Sequence, residues 1–264
     1  MKKLLLSTVA VSVMAGSAIA ADLPYRRAAP APAFVAVPVF TWTGFYVGGN
    51  AGYGFGDGRV TTTGLTAGSQ ALIASRALPG GTKLDKGGFV GGGQLGYNYQ
   101  VGSVVLGLET DIQYVDRDQT NAFRSTAGFA TAYHSKIDYL GTVRGRIGYA
   151  MDRWMIYATG GLAYGEVTNA VASTNPALVT ISGLRKGTET GYAVGAGVEY
   201  AMPMFNLGSS AATVKVEYLY YDLGKKTVTQ NDVPAAGSIP LLANRFENNG
   251  HIVRAGLNWK FGAF

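Results

Sequence analysis

The chain has no cysteine. That excludes a disulfide framework, thiolate chemistry and a lipidated cysteine. Charge is also scarce: Asp, Glu, Lys and Arg make up 14% of the 264 residues, against about 25% in a soluble domain. Only two histidines occur, His134 and His251, so chemistry that needs clustered imidazoles has little to draw on. No H-E-x-x-H, paired catalytic carboxylates or serine elbow is present. A rim-mounted active site would need His, Asp, Glu or Ser grouped together, and they are not, so no enzyme activity is expected. Past the N-terminus, no charge-free run approaches the roughly 20 apolar residues of a membrane helix. The net charge is +6, and two of those charges are Lys2 and Lys3, leaving a dispersed +4. That is no nucleic-acid footprint.

The N-terminus has all three parts of a secretory signal. Lys2 and Lys3 form a charged start, Leu4 to Ala15 an apolar stretch, and Ala18-Ile19-Ala20 a small-x-small cleavage site. From Leu23 to Phe40, Pro24, Pro30, Pro32 and Pro38 stand among Ala and Val, as in an extended linker. The expected division is therefore a signal peptide over 1–20, an Ala/Pro-rich periplasmic leader over 21–43, and one domain over 44–264. That domain is rich in what lipid-facing strands use. The chain has 38 Gly, about twice the average share, and 16 Tyr.

From Gly44 the chain shows eight segments of strict alternation, each the signature of a half-buried strand. They run Gly44–Gly54, Gly88–Gln100, Ser103–Val115, Lys136–Tyr149, Arg153–Gly165, Thr188–Met202, Ala212–Asp222 and a closing strand ending at Phe261. Connections alternate long and short. The long ones are Phe55–Gly87, Asp116–Ser135, Glu166–Gly187 and Leu223–Asn248; the short ones fall near Val101–Gly102, Ala150–Asp152 and Pro203–Ala211. This predicts an all-β fold: an eight-stranded antiparallel up-and-down transmembrane β-barrel with four long extracellular loops.

Aromatics separate a membrane barrel from a soluble one. On the apolar faces, Phe45 and Tyr53, Phe89 and Tyr97, Tyr139 and Tyr149, Trp154 and Tyr164, and Tyr192 and Tyr200 bracket small or aliphatic residues. Trp259 and Phe261 end the last strand. The bracketing pairs are separated by roughly 19–23 Å along the normal, at about 3.3 Å per residue and a ~45° tilt. That fits two girdles around an apolar band of about 25 Å.

The opposite faces carry Glu109, Asp111, Asp138, Glu189, Glu199 and Glu217 with Arg144, Arg146, Lys215, Arg254 and Lys260. Eight strands leave a bore that side chains fill. The near balance of sign favours a plug of paired charges over a narrow porin-like ion pathway. Inward glycines (Gly48, Gly92, Gly96, Gly107, Gly148) make room for the long side chains. Gly91 to Gly96 matches G-x-G-x-x-G, but strand patterning continues through it and no helix follows. His134, beside Tyr133, and His251 fall near the outer rim, where one of them binding haemin iron competes with two unrelated surface histidines. Lys225 and Lys226, with Arg185, Lys186 and Arg245, are candidates for lipopolysaccharide phosphates or ordinary solvated charge. The polar loops suit surface recognition.

Several stretches together resemble one family. They are Ala21-Asp22-Leu23-Pro24, the run Phe40 to Gly54, Arg144-Gly145-Arg146-Ile147-Gly148-Tyr149, Val216-Glu217-Tyr218-Leu219-Tyr220 and Val253 to Phe261. The chain is similar to the alphaproteobacterial outer-membrane β-barrel family, which includes outer-membrane immunogenic and haemin-binding proteins. The resemblance implies a surface-exposed, antigenic barrel in the outer membrane of a Gram-negative cell. Some members are porin-like and some bind haemin. It also implies that the assembly machinery reads a terminal Phe. Gly262-Ala263-Phe264 extends past Phe261, and Phe264 is out of phase with Trp259, so two residues compete for that role.

Overall fold

The computed structural model describes residues 40–56, 58–174, 180–207, 210–231 and 240–262. The expected signal peptide, residues 21–39 of the leader and Phe264 lie outside the described residues. Ten strands and one helix follow: β1 (Gly44–Gly56), β2 (Gly58–Gly64), α1 (Ala67–Ala74), β3 (Gly81–Leu84), β4 (Gly88–Val101), β5 (Val104–Arg124), β6 (Ala130–Met151), β7 (Trp154–Thr174), β8 (Thr180–Leu207), β9 (Ser210–Asn231) and β10 (Pro240–Phe261).

Every ladder is antiparallel, and β1 pairs with both β4 and β10. The ring β1-β4-β5-β6-β7-β8-β9-β10 is therefore closed by eight strands. Closure leaves no free edge in this ring, the condition for a sheet in hydrocarbon. Two turns at one end are tight, with Val101 opposite Val104 and Met151 opposite Trp154. Each opens on a left-handed residue, Gly102 (φ 60°) and Asp152 (φ 55°), as two-residue hairpins demand. We call this the turn end.

At the other end the structure differs from the sequence reading. The long connections are mostly strand, not loop. The β5–β6 hairpin is paired up to Arg124 opposite Ala130, and the β7–β8 hairpin up to Thr174 opposite Thr180. The first long connection holds β2, α1 and β3, and β2 continues the wall beside β10. In these segments polar residues stand on both faces and interrupt the inward apolar ones, such as Tyr133, Val171 and Val228, so alternation there is faint in sequence although the ladders are regular.

Bulges separate the two halves of the wall. Register shifts lie between Tyr114 and Arg117 of β5, between Ile137 and Tyr139 of β6, and between Glu247 and Asn249 of β10. An extra residue reverses which side chains point inward. Asp138, expected among the interior charges, sits in the β6 bulge. Ile137 and Leu140 are buried around it, while its partly exposed carboxylate pairs with Lys136 at 2.6 Å.

The end of the leader is also part of the fold. Residues 40–43 were expected to lie outside the barrel. Instead Phe40 and Trp42 pack edge to face at 5.0 Å among inward side chains of the turn end, including Val105, Met155 and Ala211. The Trp42 indole N–H donates to the Asp152 carbonyl (3.3 Å) and its backbone N–H to Gln100 Oε1 (2.7 Å). Burying a large aromatic there closes the mouth of a lumen otherwise open at its base.

Trp42 is fully buried, while Trp154 is 51% exposed on the outer wall and Trp259 is half-buried there. In bilayers of brominated lipid, the W42F variant should be strongly quenched and W154F/W259F, with Trp42 alone, should keep most of its emission. Equal quenching would contradict the inward leader.

Candidate functional site in the barrel lumen

The outer wall sets the frame. All twelve expected girdle aromatics are on outward positions. Phe45, Tyr97, Tyr149, Trp154, Tyr200, Trp259 and Phe261 ring the turn end, with Phe45 on Tyr97 (4.7 Å) and Trp154 on Tyr200 (4.5 Å). Tyr53, Phe89, Tyr139, Tyr164 and Tyr192 ring the wall below the bulges. Between the rings, Val47, Leu108, Leu162 and Leu257 are 50–69% exposed, a surface that water would not tolerate over such an area.

Inside, alternation delivers the charges to one layer. Arg144 of β6 is the hub. Its guanidinium bonds Glu109 (2.6 Å) and Asp111 (2.8 Å) of β5 and Glu217 of β9 (3.0 Å). Its Nε donates to Thr142 Oγ1 at 2.8 Å. Arg254 of β10 bonds Asp111 (3.0 Å) and, through Nε, Glu217 (2.7 Å). Lys215 of β9 donates to both oxygens of Glu109 at 2.8 Å. Arg146 of β6 bonds Glu199 of β8 at 2.7 Å and stacks 4.0 Å over the Tyr157 ring. Tyr46 of β1 accepts from Arg146 (3.0 Å) and donates to Glu109 (2.7 Å), joining the two halves.

This layer holds four carboxylates and four cations, all buried. Neutral amides extend it: Asn50 donates to Gln94 (2.8 Å), Gln94 to Asn258 (2.6 Å) and Asn258 to Glu199 (3.0 Å). Room comes from glycine. A Cβ on Gly52 would lie 2.7 Å from Arg254 Cβ. Apolar layers enclose the charges on both sides. Towards the turn end lies the Trp42 cluster; towards the loop end lie Val90, Leu140, Leu219 and Ile252.

Of the eleven expected interior charges, eight meet in this network. Lys260 is buried apart, donating to the Thr43 carbonyl of the leader. Glu189 is buried nearer the loop end, where Lys226 and Arg185 pair with it. Asp138 is in the bulge, as described. The sequence reading missed Tyr46 and Tyr157, although the same alternation puts both in the inward phase. It also missed Arg117, buried past the β5 bulge and donating to Tyr221 at 2.7 Å.

The histidines do not come together. β6 and β10 are four strands apart in either direction round the ring, so His134 and His251 face outward on opposite sides. Tyr133 points inward and contacts Thr62 at 2.7 Å, away from His134. His134 Nδ1 lies 3.1 Å from Thr120 Oγ1 and 3.3 Å from Asp118; His251 Nδ1 lies 2.7 Å from the Tyr218 hydroxyl. Gly91 to Gly96 lies wholly within β4. Among the described residues, no group of three or more His, Asp or Glu is placed to hold a metal ion.

Breaking the hub takes one partner from each of three buried carboxylates and leaves the layer with four acids against three bases. Arg144→Met should destabilise the barrel by about 3–5 kcal/mol. Lys136→Met, which removes an exposed pair, should leave the unfolding midpoint close to that of the wild type. Urea titration of the protein refolded in bilayers measures both.

Residues 6–261 match the family model described as the outer membrane protein beta-barrel domain. The chain is 38% identical over 264 residues to the 31 kDa outer-membrane immunogenic protein of Brucella melitensis biotype 1, covering 99% of this chain and 100% of that protein. It is 30% identical over 189 residues to the 22 kDa outer membrane protein of Rhizobium leguminosarum bv. viciae, covering 72% and 68%. Among solved structures, OprG from Pseudomonas aeruginosa aligns at 13% identity and a TM-score of 0.49, over 85% of this chain and 99% of that one.

Proposed function

The chain belongs to the outer-membrane β-barrel family, and from that premise we propose a structural, surface-displaying barrel whose lumen is closed to solutes. It is an outer-membrane protein. The observation that carries the closed reading is the charge layer, balanced four against four and drawn from five of the eight wall strands. An ion crossing it would have to break hydrogen-bonded pairs already in a low-dielectric setting, and it would then meet the Trp42 cluster. Every carboxylate of the layer is paired with at least one of its cations. The site also lacks a nucleophile paired with a base, so the proposal is non-enzymatic.

The exposed product of this architecture is its loop end. There α1, β2, β3 and the 125–129 hairpin tip stand on a wall made rigid by paired strands. The Brucella melitensis relative carries the word immunogenic in its name. For this chain, antigenic display of that end is part of the proposal. Two unrelated surface histidines are part of the same reading: His134 and His251 stand on opposite walls, each with a local partner at Nδ1, and together they form no shared site.

In planar bilayers, wild-type protein should show no sustained conductance. Arg144→Ala and Glu217→Ala combined with Trp42→Ala, which removes both the hub and the turn-end block, should give ohmic openings. A stable open channel in the wild type would overturn the closed reading. A haemin absorbance titration should give no saturable one-to-one shift, and H134A and H251A should leave the spectra unchanged.

A further inference from the structure

Just beyond the loop-end girdle, strand register sets like charges side by side on the outer wall. In the β2–β3 ladder Arg59 lies directly opposite Lys83, and both are exposed. Like charges directly opposite on one face disfavour pairing. The β10–β2 ladder ends with Phe246 opposite Val60, so Glu247 and Arg59 flank its last pair. Glu247 is paired with Lys225 of β9 at 2.6 Å. One row further out, exposed Arg245 lies between Thr227 and Thr61. Four adjacent strands thus present Lys225, Arg59, Lys83 and Arg245 around a single ion-paired carboxylate.

The nearby acids do not neutralise this patch. Asp222 accepts the Gly224 N–H at 2.7 Å, within the β9 bulge. Asp85, past the end of β3, is exposed. Among the described residues neither it nor any other carboxylate forms an ion pair with Arg59, Lys83 or Arg245. Two other outward lysines differ: Lys136 pairs with Asp138 and Lys186 with Glu166 (3.0 Å). Lys226, grouped with these in the sequence, turns inward to Glu189. Below the patch, Phe55, Tyr218 and Tyr220 gather round His251 at 5.3, 5.9 and 5.2 Å.

We propose that this patch binds the phosphate groups of a phosphorylated glycolipid of the lipid A type, with its acyl chains against the wall beneath. The height fits. Arg59 lies four residues past Phe55, roughly 9 Å further along the normal at about 3.3 Å per residue and a ~45° tilt. Flexible Arg and Lys stems reach back to the headgroup plane. The face is convex and open, which gives a free anion little to hold. A lipid already confined to that plane loses little freedom on binding. A phosphate between Arg59 and Lys83 also removes the repulsion that the register imposes. The assignment rests on the reading that the loop end faces outward.

Two measurements separate the site from that reading. The chain has no native cysteine, so Ala127→Cys on the exposed 125–129 tip reports orientation through an impermeant maleimide on intact cells. Native mass spectrometry in detergent then follows bisphosphorylated lipid A, dephosphorylated lipid A and inorganic phosphate. Wild type should retain one bisphosphorylated lipid A and neither of the other probes. R59Q/K83Q/R245Q should retain it at least tenfold less, and K136Q/K186Q should match wild type. If the triple variant loses the heat-modifiable migration of a folded barrel, R245Q alone should still bind at least threefold less. Retention by a folded triple variant equal to wild type, or equal binding of dephosphorylated lipid A, would overturn the site. Labelling at residue 127 only after lysis would overturn the lipid A assignment while leaving any phosphate preference intact.

Discussion

Arg144 bonds Glu109, Asp111 and Glu217 from the middle of a closed barrel, and the rest of the lumen is arranged around that arrangement. A guanidinium buried there is tolerable only if its charge is met and its donors are used. Meeting it brings three carboxylates into the bore, and those call in Lys215 and Arg254. Glu199 and Arg146 form the neighbouring pair, bridged by Tyr46. The glycines facing these groups follow from their size. Such a core is not a cheap source of stability, because apolar residues of equal volume often do as well. What it confers is a single arrangement: each charge has named partners, so strands that slip register would strand them.

The outer wall obeys a different rule. Apolar positions between the girdles have no packing partners inside the molecule, so they are limited only by contact with lipid. That is why small and aliphatic residues mix freely there, while the aromatics hold to the ends. The wall and the bore share a backbone and little else. A bulge ring separates both from the loop end, where the lumen changes to Val60, Tyr133, Val228 and Phe246.

The membrane half was legible in the sequence and the loop half much less so. In Val253 to Phe261 every outward residue is apolar and every inward one is Gly or polar, so face and strand follow from spacing two. The charge layer was legible for the same reason: once the phase is known, Glu109, Asp111, Arg144 and Arg254 must point inward. Which acid meets which base was not, since the partners come from strands over 100 residues apart, as with Lys215 and Glu109. Asp138 was misplaced because a bulge adds one residue without any marker type. Segments such as Thr227-Val228-Thr229-Gln230 look like loop because the outward face is polar and the inward face holds one apolar residue beside a buried amide. Trp42 was read as leader because nothing in a Pro-rich run shows where it begins to pack.

The β1–β10 ladder joins the start of the barrel to its last residues, with Tyr46 opposite Lys260. No shorter version of the sheet can be finished. Until β10 arrives, β1 and β9 each present a bare edge, and Asp111 lacks Arg254. Backbone pairing and lumen neutrality are therefore completed in one event, at the end of chain delivery. A barrel stalled one strand short would carry both an adhesive edge and an uncompensated buried acid. The chain consequently has a biogenesis problem in proportion to its final stability: it must be held soluble as a whole and released only when its last strand is present.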